Sequence, residues 1–219
     1  MLKVENTEVF GWEASIRGMR NPLNSWAKSD SYWDFPEYPD RFVIGPNDLK
    51  LMKNLSKAGN DHGKFLRYIN VTVDIDAPLY WWKEFDTYKV GTVANSCSTM
   101  HKIHAKEFGF DDFSHDHMMS TMGETFESMD WLDMTIDLLN KYRKLFLETK
   151  DKKYWWQMIQ LLPTSYNQKR TIQFNYQVLK TMYNARCNHK LDEWHTLCDW
   201  MLTLPYFKEI CLQDGDSNE

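Results

Sequence analysis

Residues 62–101 read HGKFLRYINVTVDIDAPLYWWKEFDTYKVGTVANSCSTMH. Polar and apolar residues alternate from Tyr68 to Ile75, and this pattern predicts a half-buried strand. A short aromatic helix is predicted over Pro78–Phe85, since proline suits a first helical turn whose N–H groups have no partner. A loop rich in hydroxyl, amide and thiol groups follows. Binding residues often lie on loops that rigid elements carry, so this segment predicts a site for a polar ligand.

The order of these elements resembles the flavin-dependent thymidylate synthase family. In that family a strand with a histidine at its start leads to an Ala-Pro helix and then to the signature R-H-R-x-x-S-x-N-x-x-S-x-R. Aligned without gaps from Ala77-Pro78, His62 takes the place of the strand-start histidine, and Thr92 that of the first motif serine. The later serine falls on Cys97. It falls on Ser98 instead if one inserted residue brings the motif asparagine onto Asn95.

The chain departs from this signature at its first three letters, where Thr87-Tyr88-Lys89 stands in place of R-H-R. Arginine makes bidentate, permanently charged contacts to phosphate that threonine and tyrosine cannot make. Lys89 retains one cation, and the ring of Tyr88 could stack on a flavin or a base. Lys169 and Arg170 are expected to compensate for the missing arginines.

A second block, LPTSYNQKRTIQFNYQVLKTMYNAR over residues 162–186, resembles the family's L-P segment, its next strand and the helix that ends in an arginine. In this alignment Asn175 matches a flavin-contacting asparagine, and Arg186 matches the arginine that holds the nucleotide. Gln177 stands where the family has arginine. Further along, Asp192-Glu193-Trp194-His195 takes the place of the family's Q-x-E-I run.

The resemblance implies an α+β fold with a central, mostly antiparallel sheet flanked by helices. It implies a homotetramer that uses FAD, NADPH and methylenetetrahydrofolate for reductive methylation of dUMP at C5. It assigns flavin contacts to His62, Tyr88, Lys89 and Asn175, nucleotide contacts to Thr92, Asn95 and Arg186, and the position nearest the pyrimidine to Cys97 or Ser98. Two alternatives stay open: a diverged member that binds another nucleotide, and a non-catalytic interaction protein that uses residues 105–128 as its contact surface.

Length and composition agree with one domain. The 219 residues suit a single domain over 1–212 with an insertion near 105–128, and the acidic tail at 213–219 is expected to be disordered. The net charge of −5 gives no attraction to nucleic acid or to an anionic membrane. The four cysteines lie far apart and no segment reads as a signal peptide, so the sequence predicts a reduced, cytoplasmic protein.

Several candidate residues also have simpler interpretations. His62 follows Asn60-Asp61 and precedes Gly63, so it could be an exposed turn residue. A single cysteine such as Cys97 is most often a small buried residue. If deprotonated, it would be a nucleophile, and Lys89 or Lys102 would favour the thiolate. The spacing of His101, His104, His115 and His117 matches no zinc template, so no metal site is predicted.

The remaining elements follow from local patterns. A strand over Lys3–Phe10 and a helix ending at Met19 are predicted first, and a loop from Asn21 to Pro46 follows. Asn47 is expected to cap a helix over Asp48–Ala58. Apolar residues at helical spacing predict a long helix over Met129–Leu147. The last predicted elements are a helix over Lys153–Leu161, a strand over Thr171–Phe174, a helix ending at Arg186 and a helix over Asp192–Leu204.

Overall fold

The structure is a computed structural model that describes residues 2–35, 37–123 and 125–212. Its strands are β1 (Lys3–Phe10), β2 (Tyr32–Asp34), β3 (Tyr38–Val43), β4 (Asn70–Pro78), β5 (Val93–Ser96) and β6 (Asn167–Asn175). Its helices are α1 (Trp12–Arg20), α2 (Pro46–Lys57), α3 (Leu79–Phe85), α4 (Thr99–Lys102), α5 (Ser128–Thr149), α6 (Lys152–Leu161), α7 (Tyr176–Arg186), α8 (Asp192–Met201) and α9 (Phe207–Cys211). Short 3₁₀ turns, among them Gly63–Arg67, connect these elements.

Four strands form one sheet in the order β1-β4-β6-β5, and β2 and β3 form a separate antiparallel pair. In that pair Tyr32 lies opposite Val43, and Trp33 opposite Phe42. The predicted class, an α+β fold with an antiparallel sheet flanked by helices, is confirmed.

The chain divides into two compact units. We call residues 74–87 and 94–171, with the first residues of the chain, the α5 unit. Residues 4–73, 88–93 and the chain from 172 onward form the α7 unit. The single domain and the insertion near 105–128 stay predictions, and the predicted tail at 213–219 lies outside the described residues.

The alternating strand is confirmed. Along β4, residues of one face are buried and their neighbours are half-buried. The apolar residues of the buried face, which include Ile69 just before the strand, are fully removed from solvent: Ile69, Val71, Val73, Ile75 and Ala77. A strand with side chains alternating between two faces can bury one face completely while the other stays polar. The strand reaches Pro78, so α3 begins one residue later than predicted.

In the α5 unit, a core forms where α5 packs on α6 and on the loops before α5. Its buried members are Ile103, Phe108, Phe113, Leu132, Ile136, Leu139 and Met158. Trp81 and Trp82 of α3 are also buried. The indole Nε1 of Trp82 donates to the backbone oxygen of Gln168 at 2.8 Å, so this buried donor is satisfied.

In the α7 unit, the first turn of α2 is held by side chains from the preceding segment: Asp48 forms a buried ion pair with Arg20, and Asp30 caps the helix. The helix begins at Pro46, and the side chain of Asp30 accepts hydrogen bonds from the N–H groups of Asn47 and Asp48. The prediction that Asn47 caps this helix is therefore wrong. The cap comes from a carboxylate 17 residues earlier in the chain, which no local pattern indicates.

Five elements in the described part of the chain were not predicted: β2, β3, β5, α4 and α9. Strands β2 and β3 lie within the segment expected to be loop, β5 lies within the polar loop, and α9 follows the last predicted helix. All four residues of β5 are exposed, so β5 carries no alternation of apolar residues that would have revealed it. No helix in the described part of the chain is long and apolar enough to cross a membrane.

Candidate functional site

Arg186 ends α7, and its guanidinium contacts two aromatic side chains of the α7 unit. Its Nε donates a hydrogen bond of 3.0 Å to the hydroxyl of Tyr88. The guanidinium carbon lies 4.8 Å from the centroid of the Trp194 ring and 5.7 Å from that of Tyr88. Trp194 is fully buried, so it is a fixed surface for the cation to stack on. These contacts hold a permanent positive charge in one orientation, as the binding of a phosphate requires.

Asn175 lies at the other end of α7 and has two separate roles available. Its Oδ1 accepts the N–H of Val178 at 3.1 Å and caps the helix. Its Nδ2 faces Gly91: a Cβ added to Gly91 would lie 3.3 Å from this nitrogen and 3.1 Å from a methyl of Val178. Gly91 has a φ of +76°, which glycine adopts without strain. The loop that begins at Tyr88 therefore passes directly over the start of α7.

Thr92 carries an unsatisfied group in this loop. Its hydroxyl oxygen is buried and has no hydrogen-bond partner among the residues that the structure describes. A buried polar group without a partner costs about 1–3 kcal/mol. The hydroxyl is therefore an unsatisfied polar group in the loop from Tyr88 to Thr92.

His62 and Lys89 are both exposed. His62 lies in a turn where its N–H donates to the oxygen of Gly59 at 3.1 Å, as the turn interpretation predicted. The same turn contacts the first turn of α7, since Gln177 Nε2 donates to Asn60 Oδ1 at 3.4 Å. The α7 unit therefore gathers three predicted segments around α7: the turn of His62, the loop from Tyr88 to Thr92, and the two ends of the helix.

The other predicted residues, Asn95, Cys97 and Ser98, belong to the α5 unit. Cys97 is exposed, so the interpretation of it as a small buried residue is wrong. Its backbone is held by β6 and by a side chain of that strand: its N–H donates to the oxygen of Lys169 at 2.9 Å, and its oxygen accepts Gln168 Nε2 at 2.8 Å. The hydroxyl of Ser98 accepts the N–H of His101 at 3.0 Å and caps α4. Asn95 is exposed on β5.

Cys97 and Ser98 line a cavity of about 470 Å³ within the α5 unit. Charged groups of both signs share this cavity: Asp76, Lys102, Lys106, Asp111, Asp112 and Lys169. Tyr166 also lines it. Burial raises the pKa of Tyr166 to about 12, and the negative charges of Asp112 and Asp76 add to this effect. The phenol therefore stays protonated at neutral pH and can act as a hydrogen-bond donor.

The two cations expected to replace the missing arginines have carboxylate partners. Arg170 Nη1 lies 2.7 Å from Asp86 Oδ1, and its guanidinium carbon lies 4.1 Å from the centroid of the Trp82 ring. Lys169 Nζ lies 3.6 Å from Asp74 Oδ2. These aspartates offset the positive charge that an anionic ligand would meet. Within the described residues, no three His, Cys, Asp or Glu side chains converge as metal ligands.

Sequence reasoning missed the roles of Trp194 and Gly91. The resemblance places Trp194 only within the run that replaces Q-x-E-I, and the signal that could have found it is an aromatic residue eight positions after the arginine that ends a helix. Gly91 is the only glycine between Gly63 and Gly109, and a lone glycine within a loop indicates a positive φ or a close approach of backbone.

Comparison with known proteins supports the fold through structure rather than sequence. No family model matches the sequence, and no curated protein matches it. A solved structure of thymidylate synthase X (ThyX) from Helicobacter pylori with FAD and dUMP has a TM-score of 0.69 at 14% identity, covering 100% of both chains. A second structure of flavin-dependent ThyX from the same organism, complexed with FAD and dUMP, gives 0.65 at 15% identity, covering 97% of this chain and 98% of that chain.

A UMP/dUMP methylase, PolB from Streptomyces cacaoi, solved with 5-Br UMP, is also similar. It has a TM-score of 0.58 at 12% identity and covers 92% of this chain and 87% of its own. At sequence identities this low, the comparison shows similarity of the backbone fold only. The chain therefore has the α+β fold shared by ThyX and this methylase.

Proposed function

We propose that this chain is a flavin-dependent enzyme that methylates a uridine monophosphate nucleotide, with dUMP as the substrate. The observation that carries the proposal is the Arg186 cluster, in which Tyr88 and Trp194 hold a guanidinium close to the loop over Asn175. Three residues that the resemblance assigns to the ligands, Tyr88, Asn175 and Arg186, thus lie around one helix although up to 98 positions separate them in sequence. The fold of ThyX and of the UMP/dUMP methylase supports the same reaction class.

Arg186 would bind the nucleotide phosphate. A guanidinium stays charged at every physiological pH and can offer two parallel N–H donors to phosphate oxygens. Stacking on Trp194 fixes its plane before the ligand arrives, which reduces the entropy lost on binding. Tyr88 accepts the hydrogen bond from Nε and so helps to hold the guanidinium in one orientation.

The residues present in the α7 unit fit a flavin in part. Gly91 leaves a space that a Cβ would fill, and the buried hydroxyl of Thr92 lacks a partner in the described structure. Asn175 Nδ2, Lys89 and His62 would supply donors to FAD, in place of the arginines that the family uses. When bound and reduced, a flavin supplies hydride for the methylation, with NADPH and methylenetetrahydrofolate as co-substrates.

Of the two residues assigned to the pyrimidine, Cys97 is the stronger candidate. The hydroxyl of Ser98 is already engaged as the cap of α4, whereas the thiol of Cys97 is exposed on a backbone fixed to β6. Cys97 would contact the base, and Ser98 would keep the segment in position. Thr92 and Asn95 would add hydrogen bonds to the nucleotide. A homotetramer in the cytoplasm is part of this proposal, by resemblance.

A second candidate is a nucleotide-binding protein without thymidylate synthesis. Three contacts favour this candidate: Arg170 is paired with Asp86, Lys169 lies near Asp74, and Tyr88 is hydrogen-bonded to Arg186. None of these groups directly replaces the two missing arginines of the signature. Complementation of a thymidine-requiring bacterial strain separates the two candidates, since only the first restores growth without thymidine.

The first experiment is the visible absorption spectrum of the purified protein before and after incubation with FAD and desalting. We expect retained flavin bands. Titration with dUMP should then raise the melting temperature, because a ligand that binds only the folded state stabilises it. Arg186→Gln should weaken dUMP binding at least about tenfold, given about 1.5–3 kcal/mol per charged hydrogen bond. The exposed Arg17→Gln serves as the matched control. A colourless protein with no response to dUMP would contradict the proposal.

A further inference from the structure

A strongly basic segment joins the last turns of α5 to the start of α6. Residues 141–156 read KYRKLFLETKDKKYWW, with six Lys and Arg against two Asp and Glu, which gives a net charge of +4. The whole chain carries −5, so the other residues together carry −9. Five of the sixteen residues in the segment are aromatic. We call residues 141–156 the basic corner. Its sign is opposite to that of the chain as a whole.

Two lysines of the basic corner lie over aromatic rings. Lys152 Nζ is 5.8 Å from the ring centroid of Trp155 and 5.7 Å from that of Trp156. Lys150 Nζ is 6.0 Å from the ring centroid of Phe146. The face of an aromatic ring attracts an ammonium group through its quadrupole. These contacts therefore restrict both lysine side chains, but they do not neutralise the charges.

Most of the positive charge in the basic corner has no carboxylate partner. Lys153 is paired with Asp151, and its Nζ lies 3.0 Å from Oδ2. The other lysines of the segment are exposed, and none of them makes an ion pair with a residue that the structure describes: Lys141, Lys144, Lys150 and Lys152. Clustered like charges repel one another, and a bound anion relieves this repulsion. The basic corner therefore favours a partner with several negative charges.

Trp156 adds an aromatic surface to these charges. The residue is 43% exposed, and its ring centroid lies 4.8 Å from that of Trp155, with the two rings inclined by 70°. Trp155 is held in place, because its Nε1 donates a hydrogen bond of 3.1 Å to the backbone oxygen of Met100. An exposed ring that packs on a fixed neighbour can stack on a flat group at little cost in side-chain entropy.

The apolar surface of α6 does not suit insertion into a lipid bilayer, which requires a row of apolar residues along one face of a helix. The structure describes all of α6. Its exposed large apolar residues are Trp156 and Leu161, which point about 140° apart at 100° per residue. Met158 is fully buried. One exposed ring among lysines instead matches a partner in which flat groups alternate with phosphates.

We propose that the basic corner binds single-stranded nucleic acid. An unpaired base stacks on Trp156, and Lys150 and Lys152 contact neighbouring phosphates. Lys141 and Lys144, three positions apart on α5, contact further phosphates along the strand. A duplex presents phosphates but hides the faces of its bases, so it uses the lysines alone. The basic corner lies in the α5 unit and includes none of the residues assigned to the flavin or to dUMP.

Fluorescence anisotropy of labelled oligo-dT, about 12 nucleotides long, tests the proposal with the full chain. We expect a Kd of about 1–100 µM near physiological salt, the range of sequence-independent binding. Contacts from four lysines predict that log K falls against log salt with a slope of about −3 between about 50 and 200 mM. Circular dichroism and the melting temperature check that each variant folds.

The lysines are tested through the salt dependence. Lys150→Gln/Lys152→Gln should make the slope shallower by about 1.4, because two phosphate contacts are lost. Lys53→Gln/Lys57→Gln is the matched control, since it removes the same charge from two exposed lysines of α2. This control should leave the slope unchanged. Equal slopes in the two double variants would overturn the proposal, because binding would then follow net charge rather than this surface.

The ring is tested by comparing a single strand with a duplex. Trp156→Leu should weaken binding of oligo-dT about fivefold or more, because it removes the stacking surface. The same variant should leave duplex binding unchanged, and Trp156→Phe should bind oligo-dT within about threefold of the wild type. Trp131→Leu replaces another exposed tryptophan, on α5, and is the control without effect. Equal weakening of strand and duplex by Trp156→Leu would overturn the stacking.

Oligo-dT could also enter the proposed nucleotide site, so two further measurements separate the surfaces. Saturating dUMP and Arg186→Gln should both leave oligo-dT binding unchanged. Competition by dUMP would overturn the proposal, and so would an absence of binding at low salt. Co-sedimentation with vesicles of phosphatidylserine and phosphatidylcholine, without binding of oligo-dT, would assign the basic corner to lipid instead. None of these measurements requires bound flavin, so failure here leaves the proposed function untouched.

Discussion

The Nε of Arg20 lies 2.6 Å from Oδ1 of Asp48, and both side chains are almost completely buried, at 4% and 0% exposure. The remaining hydrogen-bonding groups of both side chains find partners in residues 25–31, which lie between Arg20 and Asp48 in the chain. Arg20 donates to the oxygens of Ser25 and Lys28, and Oδ2 of Asp48 accepts from Ser29, Asp30 and Ser31. One pair of buried charges thus orders residues 25–31, which have little regular structure.

We predict that Asp48→Asn lowers the free energy of unfolding by about 3–5 kcal/mol, since it leaves the Arg20 guanidinium buried without its counter-charge. Urea unfolding monitored by tryptophan fluorescence measures the change. Asp133→Asn, an exposed aspartate of α5, is the control and should change stability by less than about 0.5 kcal/mol. An Asp48→Asn protein as stable as the wild type would mean that solvent reaches this pair.

The same carboxylate should make stability depend on pH. Burial acts to raise the pKa of Asp48, but hydrogen bonds from Ser31, Arg20, Ser29 and the N–H of Asp30 outweigh it, and the pKa lies below its ordinary value of 3.8. The folded state therefore binds this proton less readily than the unfolded state. The resulting stability is complete above the unfolded value and is lost as pH falls through the folded value. Unfolding free energies below pH 5 should fall more steeply in the wild type than in Asp48→Asn.

Gly91→Ala should destabilise the α7 unit through two effects. The positive φ costs about 1 kcal/mol for a residue with a Cβ, and the new Cβ would meet Val178 and Asn175 at 3.1 and 3.3 Å. Gly59→Ala is the control for the first effect alone, because Gly59 has a φ of +100° and no atom within 4 Å of such a Cβ. We expect Gly91→Ala to cost about 1 kcal/mol more than Gly59→Ala in thermal unfolding. Equal costs would show that the loop yields to the methyl group.

Cys97 should react much faster with thiol reagents than Cys198 and Cys211. Burial raises the pKa of Cys198 and of Cys211 to about 12, so these two are protonated as well as shielded. Cys97 is exposed. Titration of the native protein with a disulfide reagent at pH 8 should give a fast phase that Cys97→Ser removes, while Cys198 and Cys211 react only after unfolding. Protection of the fast phase by dUMP would support the placement of Cys97 at the base, and a fast phase that persists in Cys97→Ser would contradict the exposure.

The fold was largely predictable where the signal is local. The two-residue alternation from Tyr68 to Ile75 indicates a strand by itself. The apolar pattern of α5 predicted the bounds of that helix to within two residues at each end. Elements fixed by distant partners were not predictable. The start of α2 depends on Asp30, which lies 17 residues before Asn47. The pairing of β2 with β3 was not predictable either, because their polar, aromatic-rich sequences show no strand pattern.

In the candidate site, too, individual residues were predictable from local motifs, whereas the contacts between distant residues were not. Resemblance could nominate Tyr88, Asn175 and Arg186 one by one, because each occupies a fixed distance from an Ala-Pro or Leu-Pro landmark. The hydrogen bond between Tyr88 and Arg186 joins positions 98 residues apart and depends on the tertiary fold. The ion pair between Arg170 and Asp86 was not predictable either, since nothing in the sequence links a loop aspartate to a strand 84 residues later.

The side chain of Asn175 offers two groups: Oδ1 caps α7, and Nδ2 is the donor that the proposed function assigns to the flavin. Aspartate or serine at this position would preserve the acceptor and delete the amide donor. If Asn175 binds the flavin as proposed, such a substitution would remove that contact and leave the backbone of α7 unchanged. One amide group thus contributes to the fold through its oxygen and to proposed binding through its nitrogen. Similarity of the backbone to another protein depends on the oxygen and says nothing about the nitrogen.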